Sequence, residues 1–338
     1  MASHDPSPEA AGTEQPARHG LITRRRVLVG VGGVVGAGAL GAGGFMLQDY
    51  LKRFARRADT AILDHRVAVP AIIPRMVIAR GPDPGRNVRA AVERLGGMAR
   101  LLSPADIVVI KPNIGWDRTP EQGANTHPQV VAEVVRLCRE VGCRRVIVCD
   151  CPISTPKAAL EVSGILKAAT EAGAEVIAPE DSRYRTVEIS KRLGMWDVLE
   201  PFVIATKVIN VPTAKSHAGT GLSAGLKNWI GITGKQRVMF HAALQRSIAE
   251  LAALMRPTLT VLDASRVLMQ HGPQGGSLAD VKPVRTVAAG FDPVALDAFA
   301  CTLLGMAPLP ESLRLAAGMG LGQVDYAGLA PVEITAGA

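Results

Sequence analysis

From about Arg75 onward, short runs of β-branched and aliphatic residues alternate with longer stretches whose apolar positions repeat at helical spacing. The short runs predict strands over residues 76–79, 107–111, 145–149, 175–178, 207–211, 258–262 and 286–289; four to eight such residues bounded by turn formers are the usual mark of a buried strand. Between them, Val130, Val134, Leu137 and Val141 share one face of a helix predicted over 128–141. That helix opens at Thr126-His127-Pro128, where proline suits the first turn, and stops at Gly142. A second helix, over 243–255, aligns Leu244, Ile248, Leu251 and Met255 and ends before Pro257. Strands separated by helices of this length need crossover connections. The pattern therefore predicts an α/β fold, a mainly parallel sheet with helices on both faces in a Rossmann-like open sandwich.

The polar residues gather where the predicted strands end. Lys111-Pro112-Asn113, Asp150-Cys151-Pro152, the stretch 210–217 and Asp263-Ala264-Ser265 each follow a strand. In an open α/β sheet, ligands bind outside the carboxyl ends of the strands, so these four loops predict one crevice.

Composition narrows the picture. With 338 residues, 48% of them apolar and only 4% aromatic, the chain can bury a large core of aliphatic helix-on-sheet packing. The net charge is +8, and part of it flanks an N-terminal apolar run. No basic stripe interleaved with aromatics follows, so nucleic acid is not an expected partner. Residues 1–23 are rich in Ser, Glu, Pro and Ala and predict a disordered n-region. Thr23-Arg24-Arg25-Arg26-Val27-Leu28 and the glycine-rich apolar run after it resemble a twin-arginine export signal over 24–48. That resemblance implies the twin-arginine machinery as a partner, and a location in the periplasm or on the outer face of the cytoplasmic membrane. The segment is either cut near Ala37-Gly38-Ala39 or kept as an N-terminal membrane anchor. Residues 49–74 are expected to be a linker and 75–338 the α/β domain.

Cysteine usage bears on cofactors. Four of the five cysteines, Cys138, Cys143, Cys149 and Cys151, lie close together, which leaves a disulfide open in an oxidising compartment. A spaced run of four cysteines is missing from the sequence, so a self-contained iron–sulfur cluster is not expected.

The candidate chemistry sits in the strand-end loops. Lys111 ends an otherwise apolar strand, and Pro112-Asn113 turns the chain to aim it into the crevice. His127 precedes a helix, where it caps backbone amides or reaches a ligand. In VINVPTAKSHAGTGLSAGLKNWIG, Asn210 lies in a strand, Lys215 and His217 in a loop, and Lys227 and Asn228 at a helix start after Gly219, Gly221 and Gly225. Helix-start amides with two ammonium groups suit a phosphate or carboxylate, although the residue order is neither a P-loop nor a dinucleotide fingerprint. On this basis Lys111, Lys215 and Lys227 hold charge, with Asn113, His127, Asn210 and Asn228 as further ligand-binding residues. His217 is the expected general acid or base, with His241 a second candidate, and Asp150 or Asp263 orients it or holds a divalent metal. Asp292 reads as a helix N-cap, while Asp297 faces either crevice or solvent. HGPQGG, residues 271–276, is either a loop that closes over the crevice or a plain turn.

In order, VVIKPN, THPQVV, VIVCDCP, INVPTAKSH, GLKNWIG, HGPQGG and FDPVALDAFA resemble the bacterial and archaeal family known as domain of unknown function 362, over roughly residues 76–335. Many members of that family carry a ferredoxin-like module, which this sequence lacks. The family usually has glycine and serine where Cys149 and Cys151 flank Asp150 here. The resemblance assigns these residues no roles. Two functions follow as expectations: an exported enzyme acting on a phosphate- or carboxylate-bearing small molecule, or a non-catalytic cofactor- or metal-binding module, or redox partner, of an exported assembly.

Overall fold

The structure is a computed structural model that describes residues 58–234 and 237–337. The segments expected over 1–23 and 24–48 lie outside the described residues, as does the start of the expected linker. The rest of that linker is tied down rather than free. Asp59 exchanges hydrogen bonds with the backbone of Thr186, and the carbonyl of His65 accepts the Thr258 hydroxyl at 2.7 Å.

The strands are β1 (Met76–Arg80), β2 (Ile107–Pro112), β3 (Arg145–Cys149), β4 (Glu175–Ile177), β5 (Tyr184–Ser190), β6 (Gly194–Leu199), β7 (Lys207–Val211), β8 (Thr213–His217), β9 (Gly221–Ser223), β10 (Leu259–Leu268), β11 (Val281–Gly290) and β12 (Val332–Thr335). The main sheet runs in the order β12-β1-β11-β10-β7-β2-β3-β4. Every neighbouring pair in it is parallel except the two that β11 makes, with β1 and β10. The helices are α1 (Pro84–Arg94), α2 (Pro128–Glu140), α3 (Pro156–Val162), α4 (Ile165–Glu171), α5 (Glu200–Ile204), α6 (Gly225–Asn228), α7 (Leu244–Met255), α8 (Pro293–Leu303) and α9 (Glu311–Gly318). Among these, no helix is long and apolar enough to cross a membrane.

Strand side chains alternate between two cores, one on each face, because successive Cβ atoms point to opposite sides of a sheet. Val108, Ile110, Val146, Val148, Ile209 and Val211 face α1, α2, α3 and α4. Val109, Ile147, Cys149 and Val208 face the layer that holds α6, α7, α8 and α9. Strands buried on both faces read as continuous apolar runs, which is why these are legible in the sequence.

Three elements depart from the expected pattern. The hairpin β5–β6 stands apart from the main sheet and packs Val187, Ile189 and Val198 into the second core. There Trp196 stacks on Phe240 with ring centroids 3.9 Å apart. β10 does not stop near Leu262 but continues to Leu268; its first half pairs with β7 and its second half with β8. Residues 213–217, expected as a loop, form β8 because the far half of β10 and the short β9 offer them backbone partners. TAKSH carries no apolar alternation, so only this pairing makes it a strand.

Candidate functional site

β2, β3 and β7 run parallel, so their carboxyl ends open onto one edge of the sheet. At that edge lies a cavity of about 320 Å³ lined by Asn113, Asp150, Lys215, His217, Lys227 and Asn228 together with Trp116, Cys151, Ile153, Ile230, Arg237, His241, Leu244 and Pro273. Lys111 sits behind this wall, 0% exposed.

The wall is a single hydrogen-bond network. Lys111 Nζ donates to Asp150 Oδ1 at 2.7 Å, to Asn228 Oδ1 at 3.1 Å and to the Pro112 carbonyl at 2.9 Å. Asp150 also accepts the backbone N–H groups of Ile114 at 2.6 Å and Cys151 at 2.8 Å. Its two oxygens are thus filled by an ammonium and two amides. Burial lowers the Lys111 pKa while the Asp150 charge opposes that fall; a pair so desolvated holds because every donor is matched. Gly231 is packed against it so closely that a Cβ there would meet Asp150 Oδ1 at 2.1 Å and Lys111 Nζ at 2.8 Å.

Asn228 joins the strands. Its amide donates to the Lys111 carbonyl at 3.1 Å and to Asn210 Oδ1 at 2.8 Å, and its oxygen accepts from Asn113 at 3.2 Å. Asn210 in turn donates to the Gly225 carbonyl at 3.0 Å. Asn210 therefore anchors α6 from inside the sheet and does not line the cavity.

α6 is only four residues long, and its first two amides are occupied: Asp297 accepts Gly225 N at 2.6 Å and Leu226 N at 2.9 Å. The expected cradle of helix-start amides is thus closed to a ligand by a buried carboxylate. Asp297, expected to face crevice or solvent, faces neither, and burial raises its pKa to about 7.

Lys215 and His217 project from the same face of β8, two residues apart. Lys215 Nζ donates to Asn113 Oδ1 at 2.8 Å and to the Ala124 carbonyl. It is 1% exposed, and burial together with the neighbouring Lys227 charge drives its pKa well below the usual lysine value. His217 Nδ1 accepts the Gly219 N–H at 3.0 Å. Burial and the charges of Lys227 and Lys215 push its pKa down to about 3, so the ring is neutral. With Nδ1 accepting, the proton sits on Nε2. His217 also lines the cavity, and a neutral ring that accepts at Nδ1 has a hydrogen-bond donor, not an acceptor, at Nε2.

Lys227 lines the cavity partly buried and makes no hydrogen bond to the described residues. Burial, followed by the charges of Lys111 and Arg237, lowers its pKa to about 8. Arg237 is a cavity residue that the sequence does not announce. It opens a short 3-10 helix, Arg237–Ala243, that carries no strand-end signature, and its guanidinium donates to the carbonyls of Cys151 and Pro152.

The remaining candidates lie elsewhere. Asp263, expected after a strand end, is inside β10 and outside the cavity. Its carboxylate accepts from His127 N at 2.7 Å, from Ser265 N at 2.9 Å and Ser265 Oγ at 2.6 Å, and from Arg266 at 2.8 Å. His127 caps α2, its Nδ1 accepting Gln129 N at 3.2 Å, and is likewise not among the cavity-lining residues. Asp292 caps α8 by accepting Ala295 N at 2.8 Å. All five cysteines are unpaired and buried. Among the described residues, no group of three or more His, Cys, Asp or Glu is placed to hold a metal ion.

The chain is similar to the thylakoid-associated protein sll1697 of Synechocystis sp., at 28% identity over 230 residues covering 66% of this chain and 70% of that protein. Two solved structures share a weaker likeness. One is the lactate racemase apoprotein from Thermoanaerobacterium thermosaccharolyticum, with 13% identity and a TM-score of 0.43 over 70% of this chain and 58% of that one. The other is a protein from Thermotoga maritima, with 14% identity and a TM-score of 0.42 over 67% of this chain and 60% of that one. The chain thus spans less than two thirds of either solved structure. Residues 108–302, more than half of the sequence, match the family model for the domain of unknown function DUF362, and the chain belongs to that family.

Proposed function

We propose that the cavity binds a small carboxylate- or phosphate-bearing molecule and that the protein acts on it as an exported enzyme. The observation that carries this is a charge imbalance. Lys215, Lys227 and Arg237 line the cavity, Lys111 lies behind it, and Asp150, the sole carboxylate among the described lining residues, is already matched by Lys111 and two amides. Buried cations are costly unless an opposite charge joins them. A bound anion removes that cost, and the neutral His217 donates an Nε2–H to it. In this arrangement the proton-transfer role falls to Lys227, whose pKa is near neutrality, rather than to His217.

The non-catalytic alternative, a cofactor-binding module of an exported assembly, draws support from Asp150, whose filled oxygens leave it unable to serve as a base. Isothermal titration with phosphate, sulfate and succinate in two buffers of different ionisation enthalpy tests the anion site. Binding near pH 8 is expected to take up protons, because the anion raises the depressed lysine pKa values. At about a hundred times Kd it should add about 2.7 kcal/mol of stability. No heat and no thermal shift across the panel would remove the anion site. Turnover screening of the anions that bind then separates enzyme from binding module.

Export by the twin-arginine route is supported by Arg24-Arg25-Arg26 before the glycine-rich apolar run, and is in keeping with the thylakoid association named for the Synechocystis relative. Replacing Arg24 and Arg25 by lysine should leave the protein in the cytoplasm; unchanged export of that variant would count against the route.

A further inference from the structure

Resting on the anion site proposed above, we infer that Lys227 is a nucleophilic amine that forms an imine with the carbonyl carbon of a 2-oxo acid carrying an apolar or aromatic side chain.

The cations of the cavity are not equivalent. Lys215 is spent on Asn113 and the Ala124 carbonyl, Arg237 on the carbonyls of Cys151 and Pro152, and Lys111 on Asp150 and Asn228. Lys227 lines the same cavity and, among the described residues, gives its ammonium no hydrogen-bond acceptor. Its backbone is nevertheless held rigidly. Asp297 ties the first two amides of α6, and the next residue, Asn228, is locked to Lys111, Asn113 and Asn210. A fixed stem with a free amine is the arrangement a nucleophilic lysine needs. A desolvated lysine beside other cations also retains more of its unprotonated form than one in water, and the pKa of about 8 for Lys227 agrees.

The surroundings select the ligand. Lys215 and Arg237 supply positive charge for a carboxylate, and the neutral His217 supplies an N–H for the adjacent carbonyl oxygen. Trp116, Ile153, Ile230, Leu244 and Pro273 also line the cavity and give an apolar substituent somewhere to pack. The step balances without an oxidant or reductant. The amine nitrogen forms a bond to the carbonyl carbon, the carbon–oxygen bond breaks, and the oxygen leaves as water with the two hydrogens lost by the nitrogen.

The test incubates the full chain with phenylpyruvate and sodium cyanoborohydride at about pH 8 and maps the reduced adduct by peptide mass spectrometry. In parallel, 3-phenyllactate, which has the same carboxylate and ring but no carbonyl, is scored by thermal shift. Labelling of Lys227 is expected to be about tenfold or more faster than that of the exposed Lys167, given the larger free-amine fraction of a group near pH 8. Lys227→Arg should lose the adduct. Label absent from Lys227, or no faster there than on exposed lysines, overturns the inference. If 3-phenyllactate still stabilises the protein in that case, the anion site survives. If it does not, both fall. The mapping is made on the unmodified sequence, so the outcome does not depend on a variant that folds poorly.

Discussion

Replacing Lys227 by methionine nearly keeps the length of the side chain and deletes the charge that finds no hydrogen-bond acceptor among the described residues of the cavity. In the absence of an anion, this substitution is expected to stabilise the protein. The fall of the Lys227 pKa from 10.5 to about 8, at about 1.4 kcal/mol per pH unit, sets a ceiling of about 3.5 kcal/mol on the cost of holding the ammonium there. The side chain is partly exposed, and solvent screening reduces that to roughly 1–2 kcal/mol. The sign follows from proton counting. Below about pH 8 both folded and unfolded chains carry the proton and the full cost is present. Between about 8 and 10.5 the unfolded chain binds a proton that the folded one does not, so the stability of the unsubstituted protein rises with pH. Lys227→Met lacks that rise, and the two curves should converge towards pH 10.5. Urea unfolding at pH 7 and at several points up to pH 10 reads the difference, and at pH 7 the melting temperature should be higher by a few degrees. The same variant should lose most of the anion-dependent thermal shift. A variant that is less stable at pH 7, or whose stability keeps the same pH slope between 8 and 10.5, would refute the charge-imbalance argument.

Three further outcomes follow from the same network. Lys111→Met and Asp150→Asn each break a fully buried ion pair and should cost about 3–5 kcal/mol in urea unfolding, whereas the double variant should recover part of that loss; additive losses would show that the two groups are not coupled. Asp297 has its pKa raised from 3.8 to about 7, so the folded state favours the protonated form, and stability should fall as pH rises through that window. Asp297→Asn should flatten this part of the melting-temperature profile, and an unchanged slope would assign it to other groups. Gly231→Ala should cost about 2 kcal/mol or more and abolish anion binding, because its Cβ would overlap Asp150 and crowd Lys111; normal stability and binding in that variant would show that the Lys111–Asp150 pair can shift without consequence.

The sequence by itself determined the fold class. Strands buried on both faces show as unbroken aliphatic runs, so 145–149 and 207–211 coincide with β3 and β7, and α2 and α7 begin and end within a residue of their predicted bounds. It also pointed to the edge of the sheet where polar residues would meet, since strand ends are local features. Tertiary structure decided everything that depends on long-range partners. β8 exists through its pairing with β9 and the far half of β10, and that half is itself extended along β11, which moved Asp263 from an expected loop into a strand. Asp297 was ambiguous in its own helix and became the cap of α6, 72 residues away in sequence. Arg237 entered the cavity from a segment with no periodic signal, and His217 Nδ1 was engaged by the backbone N–H of Gly219. Periodicity reports which face of an element is buried. Which of several lysines finds an acceptor among the described residues is set by the sum of distant hydrogen bonds, and no local pattern encodes that.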